Sequence, residues 1–224
     1  MSSTELQVVF EDNALLVVDK PAGLLSVPGR GEDKQDCLSA RIQRRFADAL
    51  VVHRLDMATS GLMIMARSAA AQRTLSDAFA SRDVVKRYIA VVDGHIPVEG
   101  SEWNVIDLPI LVDWPNRPRR IIDTTLGKPS VTRWRVLVEG SPSQAASRIR
   151  EPDTTRLELE PLTGRSHQLR VHLKSLGHAI LGDTLYASPE GQAKSDRLLL
   201  HACGLTVKHP YTGQALEFRS APPF

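Results

Sequence analysis

"TTRLELEPLTGRSHQLRVHLKSLG", residues 154–177, carries two hydrophobic periods in one run and so decides the fold class. Its first part alternates strictly, with Leu157 and Leu159 on one side and Arg156, Glu158 and Glu160 on the other. That is the pattern of a half-buried strand facing water on its polar side. After a Thr-Gly turn the period lengthens. Leu169, Leu173 and Leu176 form one stripe of a helix, with Ser166 placed as its N-cap and Gly177 as its stop. His167 and His172 are five residues apart, not at the i, i+4 spacing of a helical zinc pair, and read as packing or hydrogen-bonding histidines.

Working outward, short strands dominate. "LQVVFEDNALLVVDKP" reads as two strands around a Glu-Asp-Asn turn, "LMIMA" as a buried strand and "VKRYIAVVDG" as another. "KPSVTRWRVLVE" is a further strand, and "RLLLHACGLTVKHPYTGQALEFRS" ends the chain as strands, the last two joined through Pro-Tyr-Thr-Gly. Two more helices are expected. One starts at Asp36 as N-cap, with Leu38, Ile42 and Phe46 on one face and Arg41, Arg44 and Arg45 on another. The second is capped by Ser68 and carries Leu75 and Phe79 as an i, i+4 pair. Residues 94–128 read as irregular, and "SPSQAASRIREPD" as an exposed loop. Many short strands with few helices predict an α+β protein with a mainly antiparallel sheet, in one compact unit with room for two lobes.

The bulk numbers are those of a soluble globular chain: 224 residues, 42% hydrophobic, 24% charged. The start has no basic region followed by an apolar one, so no secretory signal is read. No stretch reaches the roughly 18 apolar residues of a membrane helix. Cys37 and Cys203 lie in no C-x-x-C pattern, which argues against a disulfide framework or zinc ribbon and suits a cytoplasmic location. Net charge is only +2, but residues 113–135 carry six basic side chains (Arg117, Arg119, Arg120, Lys128, Arg133 and Arg135) against Asp113 and Asp123. A basic segment with a tryptophan near each end suits either a solvated strand pair or a phosphate backbone with exposed bases.

"HRLDMATSGL", residues 53–62, places a lone acid between an arginine and a Thr-Ser-Gly turn. An aspartate can attack as a carboxylate, act as a general base or hold a metal. Metal binding wants several oxygens, and this stretch offers one. A phosphohydrolase of the D-x-D-x-T type needs a second acid where Ala58 stands. If the segment is extended, Arg54 and Asp56 share a face, and the cation favours the ionised carboxylate.

Taken together, "DKPAGLLSVPG", "HRLDMATSGL", "KRYIA", "TGRSHQLRVH", "GHAILGDTLY" and "RLLLHA" resemble, in this order, the motifs of the RluA family of pseudouridine synthases. One departure is Ala179, where the family usually has proline. The resemblance implies the pseudouridine synthase catalytic fold with RNA-gripping loops. It also implies isomerisation of uridine to pseudouridine in RNA, without an organic cofactor or metal. Asp56 is then the catalytic residue, Arg165 its ionic partner, and Tyr88 the ring that stacks on the target uracil. Arg54 is implied as the wedge that fills the place of the flipped base. Arg117, Arg119, Arg120 and Lys128 are expected to bind RNA. A single catalytic domain over residues 1–224, without an N-terminal S4-type domain, and "DLPILVDWPNRPRR" are most similar to the member that modifies both 23S rRNA and the tRNA anticodon stem-loop. A monomer is the family expectation. Action on one RNA class only, or a non-catalytic RNA-binding module, are the other readings.

Overall fold

The computed structural model describes residues 6–97, 102–137 and 153–224. Two units are distinguished: the chain up to Val85 together with Ala202–Ser220, and Lys86–His201 together with Ala221–Phe224.

In the first unit, β1 (Gln7–Glu11) and β2 (Leu15–Lys20) form the expected antiparallel hairpin. Asp12 closes its turn, Oδ1 accepting the N–H groups of Ala14 at 2.7 Å and Leu15 at 2.9 Å. There follow α1 (Leu38–Gln43), β3 (Leu50–Val51), β4 (Ser60–Ala66) and α2 (Ala69–Ser81). β2 and β3 both pair antiparallel with β4. Both faces of the β2–β4 pair are covered. Leu15, Val17, Leu62 and Ile64 pack with Leu75 of α2, while Leu16, Val18, Met63 and Met65 pack with Leu38 and Ile42 of α1. That double burial is why "LMIMA" is apolar without alternation.

The second unit is built from β5 (Val85–Asp93), β6 (Asn104–Asp107), β7 (Ile110–Val112), β8 (Arg120–Ile122), β9 (Val131–Val136), β10 (Thr154–Pro161), α3 (Gln168–Ser175) and α4 (Pro189–Ala193). β5, β10, β9 and β6 lie side by side in that order, each pair antiparallel. β7 and β8 make a separate hairpin. The chain closes with β11 (Leu200–Lys208) and β12 (Ala215–Arg219), an antiparallel pair. In the first unit β11 lies beside β4. The α+β class and mainly antiparallel pairing agree with the sequence reading.

Several local expectations need correction. The N-cap of α1 is Cys37, whose Sγ accepts from Ala40 N; Asp36 instead forms a forked ion pair with Arg41 at 2.6 Å and 2.7 Å. Ser166 does not cap α3. The cap position belongs to His167, whose φ of 58° is left-handed. Leu176 is 38% exposed, so of the three leucines expected in the stripe only Leu169 and Leu173 are buried, and Gly177 ends α3 at φ 86°. The stretch expected to be irregular, residues 94–128, contains β6, β7 and β8. The polar side of β10 does not face water: Arg156 and Glu160 are each 8% exposed. Charge pairing supplies the cover. Glu160 binds Arg87 at 2.8 Å and Arg133 at 3.0 Å, and Glu158 binds Arg135 at 2.5 Å. Trp103 lies over all three guanidinium groups, 4.7–5.0 Å from ring centroid to carbon. The loop expected over residues 141–153 falls outside the described residues apart from Asp153.

Candidate active site

In the first unit Asp56 stands half-buried on the loop between β3 and β4, and its two neighbours in sequence are pinned. Before it, the Ser26 hydroxyl donates to Leu55 O at 2.7 Å and accepts from Leu55 N at 3.1 Å. After it, Met57 O accepts from the Lys20 ammonium at 3.1 Å and from Gly23 N at 2.9 Å. Lys20 is fully buried and also donates to the carbonyls of Pro21 and Leu24. Its charge is thus solvated by backbone dipoles, which is what lets a lysine sit there. Gly23 has φ 81°, a conformation that favours glycine. "DKPAGLLSVPG" therefore serves as a splint for the aspartate loop.

The turn itself differs from the expected Thr-Ser-Gly. Asp56 O accepts from Thr59 N at 3.1 Å, so the turn runs over Met57 and Ala58, and Ser60 and Gly61 already belong to β4. His53 faces inward. Its Nε2 accepts from Ile64 N at 3.0 Å and its ring stacks on Phe79, centroids 4.4 Å apart. Accepting at Nε2 places the proton of a neutral ring on Nδ1. Arg54 is exposed.

In the second unit Tyr88 is half-buried on β5, directly opposite Leu159 of β10. Arg165 is exposed on the turn before α3, with Nε 3.4 Å from Pro129 O. The turn hangs on Gln168, 4% exposed, a residue the sequence reading did not single out. Gln168 Oε1 accepts from Arg165 N at 3.0 Å and from the Thr163 hydroxyl at 2.7 Å. Its Nε2 donates to Val131 O and Thr132 Oγ1, both at 3.0 Å. Thr132 in turn donates to His172 Nδ1 at 2.9 Å, and His172 Nε2 donates to Leu108 O at 2.9 Å. A carbonyl can only accept, so this polarity runs one way along the whole chain of bonds. Burial is the main cause lowering the His172 pKa, against smaller opposing effects of the Leu108 carbonyl and Asp107.

The basic segment divides in two. Arg133 and Arg135 are half-buried and engaged in the ion-pair ladder with Glu158 and Glu160. Arg117, Arg119, Arg120 and Lys128 cluster on the β7–β8 hairpin and the turn after it. Arg117 lies over Trp114, 4.7 Å from the ring centroid, and Trp114 is itself 64% exposed. Arg120 turns Nη1 back onto Pro118 O and Arg119 O. Asp113 and Asp123 act as turn acceptors, binding Asn116 and the N–H groups of Thr125 and Leu126. Asp56 and Arg54 thus lie in the first unit, and Tyr88, Arg165 and the hairpin cations in the second. Among the described residues no cluster of three or more His, Cys, Asp or Glu is placed to hold a metal, and no helix is long and apolar enough to cross a membrane.

Residues 14–175 match the family model of RNA pseudouridylate synthases. The chain belongs to this family and is an RNA pseudouridine synthase, an isomerase that converts uridine to pseudouridine in RNA. Among relatives, it is 47% identical to the dual-specificity RNA pseudouridine synthase RluA of Escherichia coli K12 over 220 residues, 98% of this chain and 94% of that one. It is 44% identical to RluA of Yersinia pestis over 218 residues, 97% of this chain and 99% of that one. The solved structure of human RNA Pseudouridylate Synthase Domain Containing 1 superposes with a TM-score of 0.78 at 30% identity, over 100% of this chain and 86% of that one. That of Domain Containing 4, at 24% identity, shares the fold with a TM-score of 0.71, over 96% of this chain and 88% of that one.

Proposed function

We propose that Asp56 is the catalytic residue and that the chain, as a single catalytic domain, acts in the cytoplasm as a monomer on 23S rRNA and on the anticodon stem-loop of tRNA. What supports the assignment of Asp56 is the clamp on both its neighbours. A carboxylate that must meet one sugar carbon gains from a backbone that does not move. The two RNAs are carried by the relatives' description as dual-specificity enzymes and by the resemblance of the arginine hairpin.

The reaction is an isomerisation, so every atom is retained. The N1–C1′ bond breaks with its electron pair on uracil, the ring turns, and C5 takes the place of N1 on C1′. The C5 proton leaves and N1 gains one. Asp56 offers two routes: ester formation at C1′ as positive charge develops on the ribose, or abstraction of a sugar proton to give a glycal. Tyr88 presents a ring for stacking on the uracil and a hydroxyl for the C5 proton. Arg165 would hold the carboxylate ionised. A stacked uridine must first be extruded, at about a few kcal/mol. Arg54 is exposed and long enough to fill the gap. Arg117, Arg119, Arg120 and Lys128 would hold the loop by its phosphates, since unstacked loop bases are where RNA sequence is read.

The test uses uridine tritiated at C5, placed in a 23S rRNA domain and separately in an anticodon stem-loop. Wild type is expected to release tritium from both. Asp56→Ala should release none while binding each RNA with an affinity within a few-fold of wild type. Turnover by Asp56→Ala would overturn the assignment, and release from one RNA only would restrict the substrate to that class.

A further inference from the structure

The function above does not use Tyr186, yet its hydroxyl joins the two parts of the second unit that the function needs. Tyr186 is 6% exposed, and its ring packs with Ile110 and Val171, against which Ile122 and Leu185 also rest. The underside of the β7–β8 hairpin is thereby seated on α3. The hydroxyl lies 2.8 Å from the backbone N of Arg120 in β8 and 2.7 Å from Nδ1 of His167 at the start of α3. A backbone N–H only donates, so the hydroxyl accepts there, and its own proton is left for Nδ1 when that nitrogen carries none. Burial keeps that proton on the phenol by raising its pKa.

Tyr186 is itself fixed to α3. Asp183, fully buried, accepts the N–H groups of Leu185 and Tyr186 and holds Arg170 through two bonds of 2.7 Å and 2.8 Å. His167, two residues after Arg165, holds a left-handed φ of 58°, a strained conformation for a residue other than glycine. The hydroxyl is thus a polar rivet: one bond to Arg120 at the start of β8, one to a strained residue beside the Arg165 turn.

We propose that Tyr186 is a positioning residue for RNA, whose hydroxyl fixes the arginine hairpin against the start of α3 so that its cations meet the phosphates in one arrangement. This rests on the reading of the hairpin as the RNA grip. Tyr186→Phe keeps the ring and its packing and removes only the rivet. Steady-state rates on the anticodon stem-loop would be compared for wild type, Tyr186→Phe, Arg119→Ala and the double variant. The expected result is a rise in KM of about fivefold for Tyr186→Phe, the size of one lost hydrogen bond, with kcat at saturating RNA changed less than twofold. Arg119→Ala should raise KM and flatten the salt dependence of binding by up to about one phosphate. The double variant should lose less than the product of the two single losses, because a misplaced arginine contributes less.

If Arg119→Ala raises KM but Tyr186→Phe leaves it unchanged, or lowers kcat instead, the positioning role is wrong and the hairpin reading stands. If Arg119→Ala changes neither KM nor the salt slope, the hairpin is not the grip and both fall. A measurement on the unaltered enzyme guards against a misfolded variant. Amide hydrogen exchange should find the Arg120 N–H slower than that of exposed Arg117; exchange as fast as that would overturn the rivet.

Discussion

At the scale of single residues, the informative side chains are those that bind backbone atoms far away in sequence. Ser26 meets both the N–H and the C=O of Leu55, and is 3% exposed. Ser26→Ala leaves two buried backbone groups without that partner, beside Asp56, the proposed catalytic residue. Geometry near a reacting carboxylate is costly to loosen, with about 10²-fold for a displacement of 1 Å. The variant is therefore expected to lose about tenfold or more in kcat with KM changed little, which single-turnover kinetics with excess enzyme would separate from RNA affinity. An equal rise in KM with kcat intact would place Ser26 in binding. Asp56, Tyr88 and Arg165 could be proposed from the sequence because their motifs are distinctive. Ser26, Gln168 and Tyr186 lie inside quoted motifs too, but nothing in the letters marks a side chain whose partner is a carbonyl or an amide.

At the scale of elements, local chemistry was readable where it is local. Ser68 caps α2, its Oγ accepting from Ala71 N at 3.1 Å, as the sequence predicts. Asp36 and Ser166 did not cap. Asp36 is claimed by Arg41, and the start of α3 is organised by Gln168 reaching back to Arg165 N. Both competitors act through side chains that propensity does not weigh. Gly61 makes the same point in a strand. It has φ 113°, and a Cβ there would meet the backbone of Ala202 in β11, inside van der Waals contact with its N, C and O atoms. Gly61→Ala must therefore either strain β4 or part it from β11. It is expected to destabilise the protein by about 2–4 kcal/mol, read as a lowered denaturant midpoint. A midpoint equal to wild type would mean that the strands separate without cost.

At the scale of the whole molecule, stability should depend on pH through His172. It is fully buried and hydrogen-bonded on both ring nitrogens, and burial holds its pKa below the usual 6.5. The unfolded chain binds a proton on this side chain below about pH 6.5, and the folded chain does not until its lower pKa is reached. Stability therefore falls as pH drops from about 6.5 towards that pKa, by at most about 1.4 kcal/mol per pH unit for one proton, and is unaffected by this group above it. Melting temperatures measured from pH 7.5 to 5 are expected to fall more steeply in wild type than in His172→Gln. Equal slopes would remove His172 from the acid response. The sequence read His172 as a packing or hydrogen-bonding histidine, and both its ring nitrogens are hydrogen-bonded.

The amino-acid sequence by itself determined the α+β class, most strand and helix periods and the family, and it singled out the aspartate proposed as catalytic. Each of these is written in residue types at short spacings, where side-chain chemistry and local backbone preference act directly. Tertiary structure alone decided what holds that aspartate still, which arginines stay available and which are consumed in the ladder with Glu158 and Glu160, and what seats the hairpin on α3. Those outcomes depend on which carboxylate, backbone carbonyl or amide comes within about 3 Å of a given side chain once the chain has folded. Backbone groups are nearly the same at every residue, so the sequence carries no mark of the one that will be chosen.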